Sequence, residues 1–172
     1  MSSCLVIIDV QNEFLTKDTD FIPDRVLHLI ENSNFDYIVG TQFFNYSGSP
    51  FIRLMDWDGC MSGKAVKMDD RLYMKCDKVF LKSTYSCFTD DFIEYINSKK
   101  ISKLYFVGID TDCCVLMSAV DAFEKNLDFE VLLDYCASTG GIESHNAGVA
   151  VLKRLVGHKC LTRRRPICLR KL

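Results

Sequence analysis

The sequence predicts a three-layer α/β/α domain of the Rossmann-like type, built on a mostly parallel sheet of about six strands. Short apolar runs alternate along the chain with segments of helical spacing. The apolar runs are nearly continuous, which is typical of parallel strands buried on both faces. Right-handed crossovers then place helices on both faces of the sheet. At 172 residues, the chain is expected to form one domain spanning residues 1–172.

The first quarter of the chain supplies two of the predicted strands. The run LVII at residues 5–8 is the first strand, and a helix follows near residues 24–32, where Pro23 is placed to begin it. Residues 37–39 form the second strand. Residues 42–77 are irregular and rich in aromatic side chains, and a stretch of that length is usually a lid, a binding loop or an interface.

The rest of the chain alternates strands and helices more regularly. Further strands are predicted at residues 78–81, 104–107 and 130–133, with a sixth possible at 159–161. Helices are predicted near residues 90–99, after Cys114, and near 143–156. Strands separated in this way by helices form βαβ units, so they are expected to pair in parallel.

The segment GIDTDCCV at residues 108–115 joins the fourth strand to a helix. Thr111 and Asp112 are favoured N-cap residues, and apolar side chains then recur with helical spacing at Val115, Ala119, Ala122 and Phe123. A thiol in a first helical turn faces unpaired N–H groups and the positive end of the helix dipole. Both lower a cysteine pKa from about 8.5, so Cys114 is expected to be an activated nucleophile.

The composition argues against several other classes of protein. A net charge of -2 gives no general attraction to nucleic acid or membrane, and no apolar run reaches the roughly 20 residues of a membrane span. Nine cysteines, an odd number with an adjacent pair, do not suggest a disulfide framework. Without a C-x-x-C pair and with isolated histidines, a zinc site is not expected either. We expect a reduced, soluble, cytoplasmic protein.

A basic run at residues 163–165 stands near the end of the chain. Such a run is expected to be solvated or packed at a subunit interface. It is not expected to bind nucleic acid, because no aromatic side chains interleave the charges.

Three polar residues follow predicted strands. Asp9 comes after the first strand, Lys82 after the third, and Cys114 after the fourth through its turn. Ligands of open parallel sheets bind beyond the carboxyl ends of the strands, where these residues would converge. Taken singly, Asp9 could cap a turn, Lys82 could be solvated, and Cys114 could be an inert buried thiol. Together they form a possible catalytic set.

The chemistry of this set is coherent. A carboxylate can accept the proton of a nearby thiol, and an ammonium can stabilise the thiolate and hold the carboxylate in place. The backbone N–H of Cys114, with another turn N–H such as that of Asp110, could stabilise a tetrahedral oxyanion.

Three motifs resemble those of the isochorismatase-like cysteine hydrolase superfamily, which includes nicotinamidases and N-carbamoylsarcosine amidase. They are IIDVQNEF at residues 7–14, KSTYSCF at residues 82–88 and GIDTDCCV at residues 108–115. The resemblance covers nearly the whole chain. It implies that Cys114 is the nucleophile, Asp9 the general base and Lys82 the third member of the triad. It also implies a cis peptide between Ile109 and Asp110, where this sequence has an aspartate in place of a small residue.

Two departures bear on the activity that the resemblance implies. Nicotinamidase-type members carry a metal-binding Asp-x-His after the second strand, whereas residues 41–45 read TQFFN. No metal or other cofactor is therefore expected. Isochorismatases proper lack the nucleophilic cysteine and cleave a vinyl ether, so Cys114 favours attack on a carbonyl.

The expected reaction is metal-independent hydrolysis of a C–N bond in a small amide or ureide, through a thioester. The aromatic side chains expected to contact the substrate, which core packing could equally explain, are Phe14, Phe43, Trp57 and Tyr85. Gln11 and Gln42 are expected to orient polar groups of the substrate. The resemblance implies a homo-oligomer, a dimer or tetramer. Two alternatives remain open: a nicotinamidase or pyrazinamidase without the usual metal, and a non-catalytic binding or redox-responsive protein that senses through Cys113 and Cys114.

Overall fold

A computed structural model, which describes residues 2–162, has an all-parallel six-stranded sheet between two layers of helices. The strands are β1 (Ser3–Ile8), β2 (Tyr37–Phe43), β3 (Lys78–Lys82), β4 (Lys103–Ile109), β5 (Phe129–Ala137) and β6 (Leu161–Thr162). Their spatial order is β3-β2-β1-β4-β5-β6, and every neighbouring pair is parallel. The predicted α/β/α fold class is confirmed.

The helices cover both faces of this sheet. They are α1 (Ile22–Glu31), α2 (Pro50–Met55), α3 (Asp70–Tyr73), α4 (Asp90–Ser98), α5 (Leu116–Glu124) and α6 (Gly141–Leu155). Successive residues of β1 point to opposite faces. Cys4, Val6 and Ile8 join the core under α4, α5 and α6, whereas Leu5 and Ile7 join the core under α1 and α3.

Several element boundaries differ from the sequence prediction. The strands β2 and β5 each run four residues further than predicted, because their carboxyl ends carry polar and small residues that do not read as apolar runs. The helix α1 begins at Ile22, with Pro23 in its first turn. The last strand lies at Leu161–Thr162, since His158–Cys160 forms a 3-10 turn.

The strand order reverses between β1 and β4, which creates a crevice beyond their carboxyl ends. Gly108 of β4 lies so close to β1 that a Cβ there would stand 2.1 Å from the carbonyl oxygen of Ile8, and its φ of +121° also favours glycine. The chain can therefore bring the ends of β1 and β4 together only with glycine at this position.

None of the helices within residues 2–162 combines the length and the apolar character needed to cross a membrane. The basic run at residues 163–165 lies outside the described residues.

Candidate active site

Asp9 and Lys82 form a buried ion pair at the carboxyl ends of β1 and β3. The Nζ atom of Lys82 lies 2.6 Å from Oδ2 of Asp9, and neither side chain is exposed to solvent. Asp9 has a φ of +48°, a left-handed conformation that is uncommon for a residue other than glycine. The sharp turn directly after β1 therefore holds the carboxylate at the end of the sheet.

Thr41, in β2, makes two hydrogen bonds with Asp9. Its hydroxyl donates to Oδ1 of Asp9 over 2.6 Å and accepts the backbone N–H of Asp9 over 3.1 Å. The two carboxylate oxygens of Asp9 thus face different partners, Thr41 on one side and Lys82 on the other. Sequence reasoning did not identify Thr41, although its position in the segment after the second predicted strand placed it near the site.

The ammonium group of Lys82 is held by groups from three segments. Besides Asp9, it donates to the carbonyl oxygens of Thr84 and Tyr85 over 2.8 and 3.1 Å, and its Nζ lies 3.5 Å from the Sγ atom of Cys114. Burial lowers the pKa of Lys82, but the charged groups around it, Asp9 first among them, outweigh burial, so the net effect raises that pKa. The ammonium is therefore charged and fixed between the carboxylate and the thiol.

Cys114 lies in a π-helical turn, Thr111–Val115, between β4 and α5. The backbone carbonyl of Asp110 accepts the N–H groups on either side of Cys114, those of Cys113 and Val115. No side chain caps this turn, so the prediction that Thr111 or Asp112 is an N-cap is wrong. The turn begins one residue earlier, and Thr111 instead hydrogen-bonds His145 over 2.8 Å.

The turn is locked by close packing against two helices. Ser118 in α5 donates to the carbonyl oxygen of Cys114 over 2.7 Å. Gly148 in α6 approaches the backbone of Asp112 so closely that a Cβ would lie 2.7 Å from its Cα atom. These contacts fix the position of the thiol relative to the sheet.

The expectation that the helix N-terminus lowers the pKa of Cys114 is wrong. Burial raises the pKa of this thiol well above its ordinary value, and the neighbouring charge of Asp9 raises it further, whereas Lys82 acts in the opposite direction. Cys114 is only 9% exposed, so a thiolate there would be poorly solvated. The raised pKa favours the neutral thiol of Cys114 over the thiolate.

The peptide bond between Ile109 and Asp110 is cis, as the resemblance implied. The carboxylate of Asp110 accepts the backbone N–H of Thr139 over 2.6 Å and its hydroxyl over 2.9 Å. Burial raises the pKa of Asp110 to about 6, although the two bonds from Thr139 act in the opposite direction. This carboxylate stands beside the turn that carries Cys114.

A cavity of about 330 Å³ opens above the thiol. The aromatic residues Phe14, Phe43, Trp57 and Tyr85, all expected from the sequence to contact substrate, lie in its wall. Sequence reasoning did not identify the remaining lining residues, which are Glu13, Thr16, Phe51, Met55, Cys113 and Thr139, beside Asp110 and Cys114. Phe51 packs against Phe43 and Tyr85 at ring-centroid distances of 4.9 and 5.1 Å, so the aromatic wall is one connected cluster.

Gln11 and Gln42 lie outside this lining, so the structure does not support the substrate contacts expected of them. The amide of Gln11 donates to the carbonyl oxygens of Phe43 and Val66, and its oxygen accepts the N–H of Phe43 over 2.6 Å. Gln42 also donates to Val66, over 2.8 Å. Both amides bind the backbone of the 42–77 segment and hold that segment over the site.

The residues at the carboxyl end of β2 and just beyond it do not fit the divalent metal of nicotinamidase-type members. Phe43 offers no donor atom, and it packs in the aromatic wall. The amide of Asn45 is engaged with Ser49, Trp57 and the N–H of Tyr46. Among residues 2–162, no three His, Cys, Asp or Glu side chains lie together as a metal site requires.

Comparison with known proteins places this site in context. The sequence model named Isochorismatase domain matches residues 3–163. Isochorismatase family protein 1A of Dictyostelium discoideum is 30% identical over 80 residues, which is 45% of this chain and 37% of that relative's length. The match therefore spans little more than a third of the curated relative.

Two solved structures share the fold over nearly their whole length. The nicotinamidase of Bacillus subtilis is 25% identical, with a TM-score of 0.79 and coverage of 95% of this chain and 100% of that one. N-carbamoylsarcosine amidase of Thermoplasma acidophilum is 21% identical, with a TM-score of 0.80 and coverage of 97% and 98%.

Proposed function

Because this chain belongs to the isochorismatase family, we propose that it is a cysteine hydrolase that cleaves the C–N bond of a small amide or ureide. One observation carries the proposal. A buried thiol, a buried carboxylate and a buried ammonium meet at the base of a cavity, with Lys82 in contact with both Asp9 and Cys114. This arrangement supports nucleophilic catalysis assisted by a base.

In the proposed first step, the carboxylate of Asp9 removes the proton of the Cys114 thiol as Sγ attacks the carbonyl carbon. The electrons of the carbonyl π bond move to its oxygen. The backbone N–H groups of Asp110 and Cys114 are proposed to bind the resulting oxyanion. Lys82 retains its proton, and its charge offsets the negative charge that develops beside it.

In the remaining steps, Asp9 returns the proton to the nitrogen of the substrate as the C–N bond breaks. Ammonia or an amine leaves, and the acyl group remains on Sγ as a thioester. Asp9 then takes a proton from a water molecule, which attacks the thioester carbonyl, and the acid is released as the thiol regains its proton. General acid–base assistance of this kind contributes roughly 10²–10⁴-fold.

A nicotinamidase-type deamidation of the same chemical class is the second candidate. The similarity to the Bacillus subtilis nicotinamidase structure favours it. Against it, Phe43 has no donor atom and the Asn45 amide is already engaged, so these two residues would not bind a metal that holds a pyridine nitrogen. A non-catalytic redox role receives less support, because burial raises the pKa of Cys113 to about 11 and that of Cys114 well above its ordinary value. Neither thiol is then readily available as the thiolate that oxidants attack.

The test is release of ammonia or amine from a panel of amides, ureides, carbamoyl compounds, nicotinamide and pyrazinamide. Adding hydroxylamine to a productive reaction should divert the acyl group to a hydroxamate, because hydroxylamine competes with water for the thioester. If the wild type and Cys114→Ala, both shown to be folded, release product equally from every compound, the cysteine hydrolase proposal fails.

A further inference from the structure

The cavity above Cys114 has an unusual balance of charge. Among the described residues that line it, the charged side chains are two carboxylates, Glu13 and Asp110. The nearest ammonium, that of Lys82, is fully buried beneath the cavity and paired with Asp9. The lining therefore offers a substrate two negative charges and no positive one.

The rest of the wall suits a cation. The connected aromatic cluster of Phe14, Phe43, Phe51, Trp57 and Tyr85 lines the cavity. The ring of Phe43 already has the ammonium of Lys82 over its face, 5.3 Å from the ring centroid. Aromatic faces attract ammonium and guanidinium groups, and the attraction strengthens where water is excluded. An anionic group in the same space would meet both the ring faces and the carboxylates unfavourably.

Asp110 is held in a fixed position relative to the reacting centre. Thr139 donates to both of its oxygens, which fixes the carboxylate while leaving further lone pairs on each oxygen. The negative charge of Asp110 also acts on Cys114, where it contributes to the raised pKa of the thiol. Asp110 therefore opposes a negative charge on Cys114 or on the substrate oxygen, and a cation bound to Asp110 reduces that opposition.

From this arrangement we infer that the cavity selects amide substrates with a protonated nitrogen remote from the scissile bond, which Asp110 binds as an ion pair within the aromatic wall. This inference rests on the proposed hydrolase function, since it names the substrate class of the same site. The carboxylates of Asp9, Asp110 and Glu13 exceed the ammonium of Lys82 by two charges. Transfer of the thiol proton to Asp9 leaves this excess unchanged, because an oxyanion forms at the same time. The cationic group of the substrate reduces the excess.

Trp57, the single tryptophan of the chain, lines the cavity and provides a direct readout of binding. Its fluorescence is titrated in Cys114→Ala, which cannot turn the ligand over by the proposed route. The probes are 4-aminobutanamide, its neutral isostere pentanamide, and the anionic glutaramate. The cation is expected to bind about tenfold more tightly than pentanamide, and the anion more weakly than both.

The preference should depend on the charge of Asp110. In Cys114→Ala with Asp110→Asn, the ratio of affinities for the cation and its neutral isostere is expected to fall to within about twofold, because the negative charge is gone. The amide oxygen at that position still accepts the Thr139 N–H, so the local structure is expected to remain. Glu13→Gln should lower the ratio less, because Glu13 is exposed to solvent. Asp134→Asn, an equal change of charge at an exposed residue outside this cavity, should leave the ratio unchanged.

Equal binding of the three probes, or an undiminished cation preference in folded Asp110→Asn, overturns the inference. The order of the probes in Cys114→Ala decides the question even if Asp110→Asn does not fold. Binding is separate from turnover. Preferred binding of the cation without hydrolysis of any amide by the wild type contradicts the hydrolase proposal alone, and hydrolysis without a cation preference contradicts this inference alone.

Discussion

The ammonium of Lys82 and the carboxylate of Asp9 lie 2.6 Å apart, and both side chains are completely buried. A buried ion pair is held in place by its geometry, because each charge is unfavourable without the other. Here Lys82 also lies 3.5 Å from the Cys114 thiol, so the pair connects the proposed base to the proposed nucleophile. We therefore expect stability and the proposed catalysis to depend on the same contact.

Replacing Lys82 by methionine, which has a similar shape, is expected to destabilise the fold by about 3–5 kcal/mol. The change leaves the Asp9 carboxylate buried without its counter-charge. Denaturant unfolding measures the free energy, and product release measures the accompanying loss of activity.

The double variant Asp9→Asn with Lys82→Met serves as the control. It removes both charges and should recover most of the lost stability while remaining inactive. If Lys82→Met alone is as stable as the wild type, the ion pair is not a structural element of this site.

Thr41 is expected to act as a positioning residue for Asp9, because its hydroxyl donates to Oδ1 over 2.6 Å. Thr41→Val keeps the shape of the side chain and removes the hydroxyl, so kcat should fall by about tenfold or more with little change in KM. Thr41→Ser retains the hydroxyl and should recover most of the loss. If Thr41 had only a structural role, the variants would lose stability without this difference in kcat between Thr41→Val and Thr41→Ser. Steady-state kinetics and thermal melts of both variants distinguish the positioning role from the structural one.

Asp110 is expected to make stability depend on pH. Burial raises its pKa to about 6 in the folded protein, against about 3.9 in an unfolded chain. Repulsion from Asp112 and Asp9 adds to that shift. A carboxyl that binds its proton more tightly when folded contributes its full stabilisation below pH 3.9, and that contribution is lost as the pH rises through about 6.

The matched variant Asp110→Asn does not titrate. The free energy of unfolding of Asp110→Asn relative to the wild type should therefore increase between pH 4 and pH 7, by about 1–3 kcal/mol. Denaturant unfolding of both proteins across this range gives the comparison. A difference that stays constant with pH would show that Asp110 has no raised pKa in the folded protein.

The fold was readable from the sequence because parallel strands leave a strong signal. The runs at residues 5–8 and 104–107 are apolar throughout, and their order along the chain places Asp9 and Cys114 beside the same crevice. Lys82 follows the third predicted strand and was placed there by the same argument. The resemblance added its role as the third member of the triad. The ends of β2 and β5 were not readable, because Gly40, Thr41 and Gln42 continue a strand with residues that local patterns assign to loops.

Other features depended on contacts between distant residues. The amide of Gln11 binds Phe43 and Val66, and no local pattern distinguishes such a brace from a substrate contact. A lowered pKa of the Cys114 thiol would follow from the helical turn taken alone. Burial beneath the cavity and the neighbouring Asp9 reverse the effect on the thiol pKa, and both follow from tertiary packing.

The adjacent cysteines allow the most direct test of the central claim. Cys113→Ala and Cys114→Ala are compared with the wild type on the best amide or ureide of the panel, after circular dichroism has shown that all three are folded. We expect Cys113→Ala to retain kcat/KM within about tenfold and Cys114→Ala to lose at least about 10³-fold. Full activity in Cys114→Ala, or its selective loss in Cys113→Ala, would contradict the assignment of Cys114 as the nucleophile.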